Sequence, residues 1–258
     1  MEGIVNISRR QSLKQAAAAT AIPSLLFGQR QEAAAIKLIV FDVGGTIIED
    51  RGDVPALLRQ SLSHHGVDST PAEIAKWRGA SKREVIRHFV EQQSLPAKTD
   101  REKLIGKVYD EFTAAIIEVY RSVPPIAGAE DTFRELRQRG YQLATTTGFD
   151  RVIADSIFTR LNWKKYFAAT ICSDDVVQGR PSPYMLFHAM EAARVDRVAE
   201  VMAVGDTPLD LQAGTNGGMR GVVGVLSGVG TAESLKREPH THILPSVAGI
   251  PALLAGKL

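Results

Sequence analysis

The chain shows two different patterns of hydrophobic and polar positions. The apolar, mostly β-branched run 36–41 ends at Asp42 and two glycines, which predicts a buried strand that stops at a sharp turn. From Val54 to Tyr120 the apolar residues recur instead at helical spacing, and no strand-like run interrupts them. A proline pair at 124–125 closes this stretch, so we expect an all-helical segment directly after the first strand.

Strand and helix patterns alternate after the proline pair. The predicted strands cover 141–146, 168–173, 201–204 and 221–226, and the predicted helices cover 130–139, 151–161 and 183–193, with a further helix starting at 209. Such alternation is typical of a parallel sheet with helices on both faces. The predicted fold class is therefore α/β, a doubly wound parallel sheet (a Rossmann-like core) with a helical cap inserted after the first strand. We expect 36–51 and 124–258 to form the core and 52–123 the cap.

The first 35 residues are predicted to form a separate segment. Arg9 and Arg10 precede an Ala-rich apolar stretch, and the three alanines at 33–35 offer a small-residue cleavage site. This layout resembles the twin-arginine export signals of bacteria and predicts export to the periplasm. An amphipathic N-terminal helix on a cytoplasmic protein is the alternative. Because Pro23 interrupts the apolar stretch and the stretch is short, no stable membrane span is expected.

Composition and charge exclude several classes of function. Hydrophobic residues make up 44% of the 258 positions and charged residues 23%, which is the balance of an ordinary soluble globular protein. The net charge of +2 is spread along the chain rather than gathered in a block, so nucleic acid is not an expected partner. Because Cys172 is the only cysteine, an intrachain disulfide and a cysteine-based metal site are excluded.

Residues with useful chemistry follow four of the predicted strands. They are Asp42, Thr147, Arg180, and the pair Asp206 and Asp210. The carboxyl ends of parallel strands meet at one edge of the sheet, and ligands of open α/β sheets bind at that edge. We therefore expect these side chains to form one site.

The turn after Asp42 suits an anionic ligand. A carboxylate at the end of a buried strand costs free energy unless it is paired or bound to a metal. Gly44 and Gly45 allow a tight turn that brings backbone N–H groups of this segment, including Thr46, close to an anion. The alternative is that Asp42 is an ordinary turn residue that caps the next segment.

The second acidic motif predicts a divalent cation. Asp206 and Asp210 are four residues apart in a loop that enters a helix, so both can face one point. Together with Asp42 they would form an oxygen-only site of the kind that Mg²⁺ prefers. Thr207 or Asp206 is also a good helix N-cap, but an N-cap alone does not explain the second acid.

Two other strand ends offer groups that bind a phosphoryl oxygen. Thr147 and the backbone N–H of Gly148 can both donate a hydrogen bond to such an oxygen. A run of threonines is also simply good strand sequence. Arg180 lies in a loop stiffened by prolines before a helix, although a solvated surface arginine is the more common outcome.

In order and spacing, these residues resemble the motifs of the haloacid dehalogenase superfamily, over the whole chain after residue 35. The set is Asp42, Thr147, Arg180, Asp206 and Asp210. The resemblance implies a hydrolase in which Asp42 attacks a phosphoryl group and Mg²⁺ is the cofactor. An aspartyl-phosphate intermediate splits one difficult displacement into two easier ones.

Finer details resemble one branch, the phosphonoacetaldehyde hydrolase-like proteins (phosphonatases). That branch has Arg in a Gly-Arg-Pro-x-Pro loop, as at 179–183, and Thr-Thr-Gly before an aromatic residue, as at 146–149. It also has a cap lysine three residues after a glycine, which here is Lys82 after Gly79. The resemblance implies that Lys82 binds the substrate through a Schiff base. An exposed helix lysine, or one that holds the substrate only by its charge, is the alternative.

Two positions depart from the related patterns. Most phosphatases of the superfamily have a second Asp two residues after the nucleophile, which protonates the leaving oxygen, and here that position is Gly44. Phosphonatases have a small residue there, and Gly44 still offers its backbone carbonyl to Mg²⁺. Against a phosphonatase, the family's histidine three residues after the lysine is Val85 here, and His88 is not an obvious replacement.

The leading hypothesis is a Mg²⁺-dependent hydrolase of a small phosphorylated or phosphonate metabolite. Cleavage of a P–C bond is favoured by Gly44, Arg180 and Lys82, and a phosphomonoesterase of phosphoglycolate phosphatase type is the alternative. A hypothesis from another class is a phospho-ligand binding protein that lost turnover with its general acid. The expected partner is the small substrate, and a homodimer is an open prediction.

Overall fold

Six parallel strands form the sheet in this computed structural model, which describes residues 35–256. The strands are β1 (Leu38–Asp42), β2 (Gln142–Thr146), β3 (Thr170–Ile171), β4 (Val201–Gly205), β5 (Gly221–Val225) and β6 (His242–Leu244). Their order in the sheet is β3-β2-β1-β4-β5-β6, and all pairs are parallel. The chain therefore runs outward from β1 to one edge and then returns to build the other half. This reversal places a crevice at the carboxyl ends of β1 and β4, where ligands bind in open α/β sheets.

Helices cover both faces of this sheet. The core helices are α5 (Ala129–Gln138), α6 (Arg151–Leu161), α7 (Tyr184–Ala192), α8 (Pro208–Asn216), α9 (Ala232–Lys236) and α10 (Ile250–Ala255). Successive side chains of a strand point to opposite faces, so Ile39 and Phe41 pack into one buried cluster while Leu38 and Val40 pack into another. The predicted doubly wound α/β fold is confirmed.

The segment between β1 and α5 is helical. Its helices are α1 (Asp53–His64), α2 (Pro71–Ala75), α3 (Lys82–Gln92) and α4 (Arg101–Tyr120), and within 53–120 the structure has no strand. We call this segment the cap. Apolar residues of α3 and α4, such as Val85 and Phe112, belong to the same buried cluster as Phe41 of the core. The exact cap boundaries at 52 and 123 stay a prediction.

Two parts of the core differ from the sequence-based expectation. The predicted strand 168–173 is reduced to two residues, because β3 is a short edge strand that pairs only with β2. Strand β6 and the helices beside it follow position 226, where no element was predicted.

None of the helices in the described part combines the length and apolar character that a membrane crossing requires. Residues 1–34, which carry the predicted export signal, lie outside the described residues, so that signal stays a prediction.

Candidate active site

Arg180 connects the ends of β1 and β2 with the first turn of α8 at the centre of the crevice. Its guanidinium donates from Nη1 to Oδ1 of Asp42 at 2.7 Å and pairs with Oδ1 of Asp210 at 2.8 Å. Its Nη2 donates to the hydroxyl of Thr146 at 2.7 Å. Arg180 is only 6% exposed, so it is not a solvated surface arginine. The structure therefore brings Arg180 together with Asp42 and Asp210, two other residues of the predicted site.

Three carboxylates converge beside this arginine. Asp42, Asp206 and Asp210 are all buried, and each has a carboxylate oxygen within 4.8 Å of the others. Burial raises the pKa of Asp42 to about 6 against the opposing effect of Arg180. Burial, and then the charge of Asp42, raise the pKa of Asp206 well above its ordinary value. One arginine does not balance three acids, and an oxygen-only donor set suits Mg²⁺, so the residues fit this cation.

Asp206 sits in a tight backbone cradle. A Cβ on Gly45 would lie 2.5 Å from Oδ2 of Asp206, and one on Gly228 would lie 2.0 Å from it. The N–H of Val229 donates to Oδ2 at 2.8 Å, and the hydroxyl of Thr46 donates to Oδ1 at 3.4 Å. Gly45 has a φ of +78°, which favours glycine for a second reason. Val229 and Thr46 therefore hold Asp206 by hydrogen bonds, and Gly45 leaves the space that its carboxylate occupies.

Asp210 has a structural role that the sequence argument missed. Thr207 is the N-cap of α8, and Asp210 is the third residue of that helix. Its Oδ2 accepts hydrogen bonds from the N–H of Thr207 at 3.0 Å and from the Thr207 hydroxyl at 2.6 Å. A capping box therefore accounts for the second acid, contrary to our expectation. Only Oδ1 faces the site, where Arg180 holds it.

Thr147 and Gly148 line the cavity next to this cluster, as does Gly44. The Thr147 hydroxyl accepts a hydrogen bond from the N–H of Phe149 at 3.1 Å, which leaves its proton free for a ligand. Thr146, rather than Thr147, holds Arg180. Adjacent residues of a strand end point in opposite directions, which explains why one threonine faces the ligand space and the other the arginine.

Lys82 lies at the start of α3 and is only 7% exposed. Its Nζ donates to the carbonyl of Ala80 at 2.6 Å and lies 5.3 Å from the ring centroid of Phe149. Burial is the main cause that lowers its pKa to about 8; the charge of Asp42 opposes this shift, and the charge of Arg180 adds to it. The lowered pKa increases the fraction of neutral amine near neutral pH, and the neutral amine is the form that acts as a nucleophile.

The loop before α3 contacts the core directly. The N–H of Lys82 donates to the carbonyl of Gly148 at 3.3 Å, and the N–H of Gly179 donates to Glu84 at 3.1 Å. A Cβ on Gly148 would lie 2.6 Å from the carbonyl oxygen of Ala80. The cap is therefore closed on the loops that carry Thr147 and Arg180, and closure of this kind excludes water from a site.

A second contact fastens the cap. Asp150, which precedes α6 in the core, accepts hydrogen bonds from the hydroxyls of Tyr109 of the cap and Ser173 of the core. Arg83 of α3 approaches the same carboxylate at 3.7 Å and lies over the Tyr109 ring. Asp150 carries no motif signal in the sequence, because its partners come from distant segments.

The cap and core enclose a cavity of about 60 Å³ above Asp42. Its lining includes the predicted residues Asp42, Gly44, Lys82, Thr147, Gly148, Arg180 and Asp206. Asp50, Trp77, Arg78 and Tyr120 are among the lining residues that the sequence argument did not assign to the site. Arg78 and Tyr120 end or follow cap helices, and no single-sequence pattern marks which cap residues turn toward the core.

The position of the missing histidine is part of the hydrophobic core. Val85 is completely buried and packs in the cluster that joins cap and core. His88 contacts the Trp77 ring with centroids 4.5 Å apart, and it is not among the residues that line the cavity. His88 therefore does not take the place of the family's histidine.

Comparison with known proteins agrees with this geometry. A family model described as haloacid dehalogenase-like hydrolase matches residues 36–218. Phosphonoacetaldehyde hydrolase from Bacillus cereus is 31% identical over 206 residues, which cover 75% of this chain and 76% of that protein.

Two further matches are more distant or partial. A bifunctional phosphonoacetaldehyde hydrolase/aminoethylphosphonate transaminase from Clostridioides difficile (strain 630) is 28% identical over 71% of this chain, which spans only 30% of that protein. The crystal structure of a predicted phosphoglycolate phosphatase from Haemophilus somnus 129pt has a TM-score of 0.69 at 17% identity, covering 84% of this chain and 97% of that one. The resemblance to the phosphonoacetaldehyde hydrolase branch is confirmed, and the chain belongs to the haloacid dehalogenase-like hydrolases.

Proposed function

We propose that this hydrolase cleaves the P–C bond of a small phosphonate that carries a carbonyl group, with Mg²⁺ as cofactor. The observation that carries the proposal is that Lys82 and Asp42 line the same cavity between cap and core. Lys82 is buried with a pKa of about 8, and the position where related phosphatases hold a general acid is Gly44. An amine that forms an imine removes the need for an acid at that position.

Lys82 prepares the substrate for bond cleavage. Its neutral amine attacks the carbonyl carbon, and loss of water leaves a protonated imine two bonds from phosphorus. A positively charged imine accepts the electron pair of the breaking P–C bond and becomes an enamine. The carbon can then leave phosphorus without a proton donor for a leaving oxygen, which is consistent with Gly44.

Asp42 supplies the nucleophile. One of its carboxylate oxygens attacks phosphorus as the P–C bond breaks, which gives an aspartyl-phosphate and the enamine on Lys82. The enamine takes a proton on carbon, and water then releases the aldehyde or ketone product from Lys82. A second water hydrolyses the aspartyl-phosphate and regenerates Asp42.

The remaining groups bind and orient the phosphonate. The Thr147 hydroxyl and the Gly148 N–H would donate to phosphoryl oxygens, and Arg180 holds Asp42 through the 2.7 Å hydrogen bond. Asp42, Asp206 and the Gly44 carbonyl would hold Mg²⁺, with Asp210 near the ion or its waters. Mg²⁺ in such a site neutralises the carboxylates and polarises the phosphoryl group.

A phosphomonoesterase is the second candidate, and the position of Tyr120 favours it. The Tyr120 hydroxyl lies 3.9 Å from where a Cβ on Gly44 would project, and it faces the cavity. It therefore occupies the region in which the missing acid would act and can donate a hydrogen bond to a leaving oxygen. Burial raises its pKa, so it is a weak proton donor, and this makes the ester reaction the less favoured one.

Phosphate release from a substrate panel tests the proposal. The panel contains phosphonoacetaldehyde, phosphoglycolate and simple phosphomonoesters, each with Mg²⁺ and with excess chelator. We expect phosphate and acetaldehyde from phosphonoacetaldehyde with Mg²⁺ and none after chelation. Asp42→Asn should abolish release while leaving the melting temperature near that of the wild type. Release from the esters alone would favour the second candidate, and ligand binding without any release would favour a binding protein.

A further inference from the structure

Arg78 is a cation in the cavity that the proposed chemistry leaves unused. It lies in the loop between α2 and α3 and lines the cavity together with Lys82. Its Nε is buried and has no hydrogen-bond partner. Among residues 35–256 its side chain forms no hydrogen bond or ion pair. A buried N–H group without a partner costs free energy, so such groups are rare unless a ligand satisfies them.

The acids around the cavity have other partners. Asp50 lines it as well, and its carboxylate accepts a hydrogen bond from the N–H of Gly52 at 2.7 Å. Asp42 is held by Arg180, and Asp206 is held by Val229. Within the described part of the chain, no carboxylate lies within 4 Å of the Arg78 guanidinium. The complementary anion is therefore expected to come from the substrate.

The surroundings strengthen an ionic contact at this position. The apolar side chains of Leu58, Ile74 and Trp77 line the same cavity as Arg78. A charge pair is stronger where apolar groups exclude water than at a solvated surface. The planar guanidinium also matches the geometry of a carboxylate, which can accept two parallel hydrogen bonds from it.

We propose that Arg78 binds a carboxylate of the substrate, so that the preferred substrate is a 2-oxo acid with a phosphono group on C3. The inference rests on the proposed function and adds to it the class of substrate. The three groups of such a molecule match three parts of the cavity. The phosphono group meets Asp42 and Thr147, the 2-oxo group meets Lys82, and the carboxylate meets Arg78.

The reaction of this substrate balances without any co-reactant except water. Lys82 condenses with the C2 carbonyl and releases water, and Asp42 takes phosphorus as the P–C pair moves to C3. The resulting enamine takes a proton from solvent at C3, and water then releases 2-oxopropanoate and free Lys82. A further water hydrolyses the aspartyl-phosphate. The net reaction consumes one water and yields phosphate and 2-oxopropanoate.

A matched pair of substrates isolates the contribution of the carboxylate. Phosphonoacetaldehyde and 3-phosphono-2-oxopropanoate differ only by a carboxylate in place of the aldehyde hydrogen. With the Mg²⁺-loaded full chain, we expect kcat/KM to be at least about 10-fold higher for the carboxylated compound. Arg78→Met should lower that value about 10- to 100-fold and leave phosphonoacetaldehyde within about 3-fold, so the preference disappears. Arg78→Lys should retain part of it.

Lys76→Met provides the control, because Lys76 is an exposed cation two residues earlier that does not line the cavity. It should leave the preference unchanged. A higher kcat/KM of the wild type for phosphonoacetaldehyde than for the carboxylated compound would overturn the inference. An equal fall in kcat/KM for the two substrates in Arg78→Met would also overturn it.

A second pair separates this inference from the proposed P–C chemistry. Phosphoglycolate and ethyl phosphate also differ by a carboxylate, in place of a methyl group, but they test P–O cleavage. If only esters are hydrolysed, the proposed function fails, and an Arg78-dependent preference for phosphoglycolate would still support the carboxylate site. If only esters are hydrolysed and Arg78→Met changes kcat/KM equally for phosphoglycolate and ethyl phosphate, the proposed function and the carboxylate site are both rejected.

Discussion

Replacing Gly148 with alanine should open the cap without unfolding the core. The added Cβ would lie 2.6 Å from the carbonyl oxygen of Ala80 and 2.8 Å from that of Gly79, and both are backbone atoms of the loop before α3. Ordinary van der Waals contact begins at 3.4 Å, so the cap loop must withdraw by roughly 0.6–0.8 Å. A side-chain rotation cannot relieve the clash, because the two oxygen atoms that the new Cβ would contact belong to the backbone.

This displacement acts on Lys82, which begins the proposed chemistry. The N–H of Lys82 bonds to the carbonyl of Gly148, and burial under the closed cap is the largest cause of its lowered pKa. A misplacement of about 1 Å can cost about 100-fold in rate, so we expect kcat/KM to fall about 10- to 100-fold. The cost in stability should stay below the ~1–3 kcal/mol of core overpacking, since the cap can move instead.

Steady-state phosphate release and a thermal melt measure these two effects. Gly106→Ala is the matched control, because Gly106 lies in α4 and an added Cβ there meets no atom within 4 Å. It should leave kcat/KM unchanged and stabilise the helix by up to about 1 kcal/mol. If Gly148→Ala keeps wild-type kcat/KM on every active substrate, the closed contact between cap and core is not required for activity.

Two further predictions concern charge in the site. Because the proposed role of Lys82 requires its neutral amine and its pKa is about 8, kcat/KM for a carbonyl phosphonate should rise with pH and level off above about 8. A profile that is flat between pH 6 and 9 would contradict this role. Because three buried carboxylates repel one another, Mg²⁺ should raise the melting temperature of the wild type. The Asp206→Asn variant should melt at a higher temperature than the wild type without Mg²⁺, and adding Mg²⁺ should not change its melting temperature. Equal Mg²⁺ shifts in the two proteins would exclude Asp206 as a ligand.

The catalytic edge of the fold could be predicted from the sequence because its signals are local. The apolar run before Asp42 and the acid after the β4 strand each mark a strand end, and parallel strands bring their carboxyl ends together. Arg180 was also located by its proline-rich loop. The role of Thr146 was not predicted, because which of two adjacent threonines turns toward the arginine depends on the register of β2 against β1.

The cap side of the site could not be predicted, because it depends on how two segments dock. Arg78 and Tyr120 reach the cavity that Asp42 lines only through the packing of four helices onto the core, and helical spacing does not predict that placement. The expectation that a capping role does not explain Asp210 was wrong for a different reason. Thr-x-x-Asp resembles the local capping signal, and its structural role was overlooked in favour of the metal site.

Reductive trapping on Lys82 is the most direct test of the central claim, which is that Lys82 and Asp42 act together on one phosphonate. The full chain is incubated with phosphonoacetaldehyde, Mg²⁺ and borohydride, and the modified peptide is identified by mass spectrometry. We predict an N-ethyl group on Lys82 in the wild type, because the two carbons remain after phosphorus has left. In Asp42→Asn the same lysine should carry an N-(2-phosphonoethyl) group, because the imine forms but the P–C bond stays intact. Lys82→Arg should give neither product. Phosphate release from phosphonoacetaldehyde with no adduct on Lys82 would contradict the account.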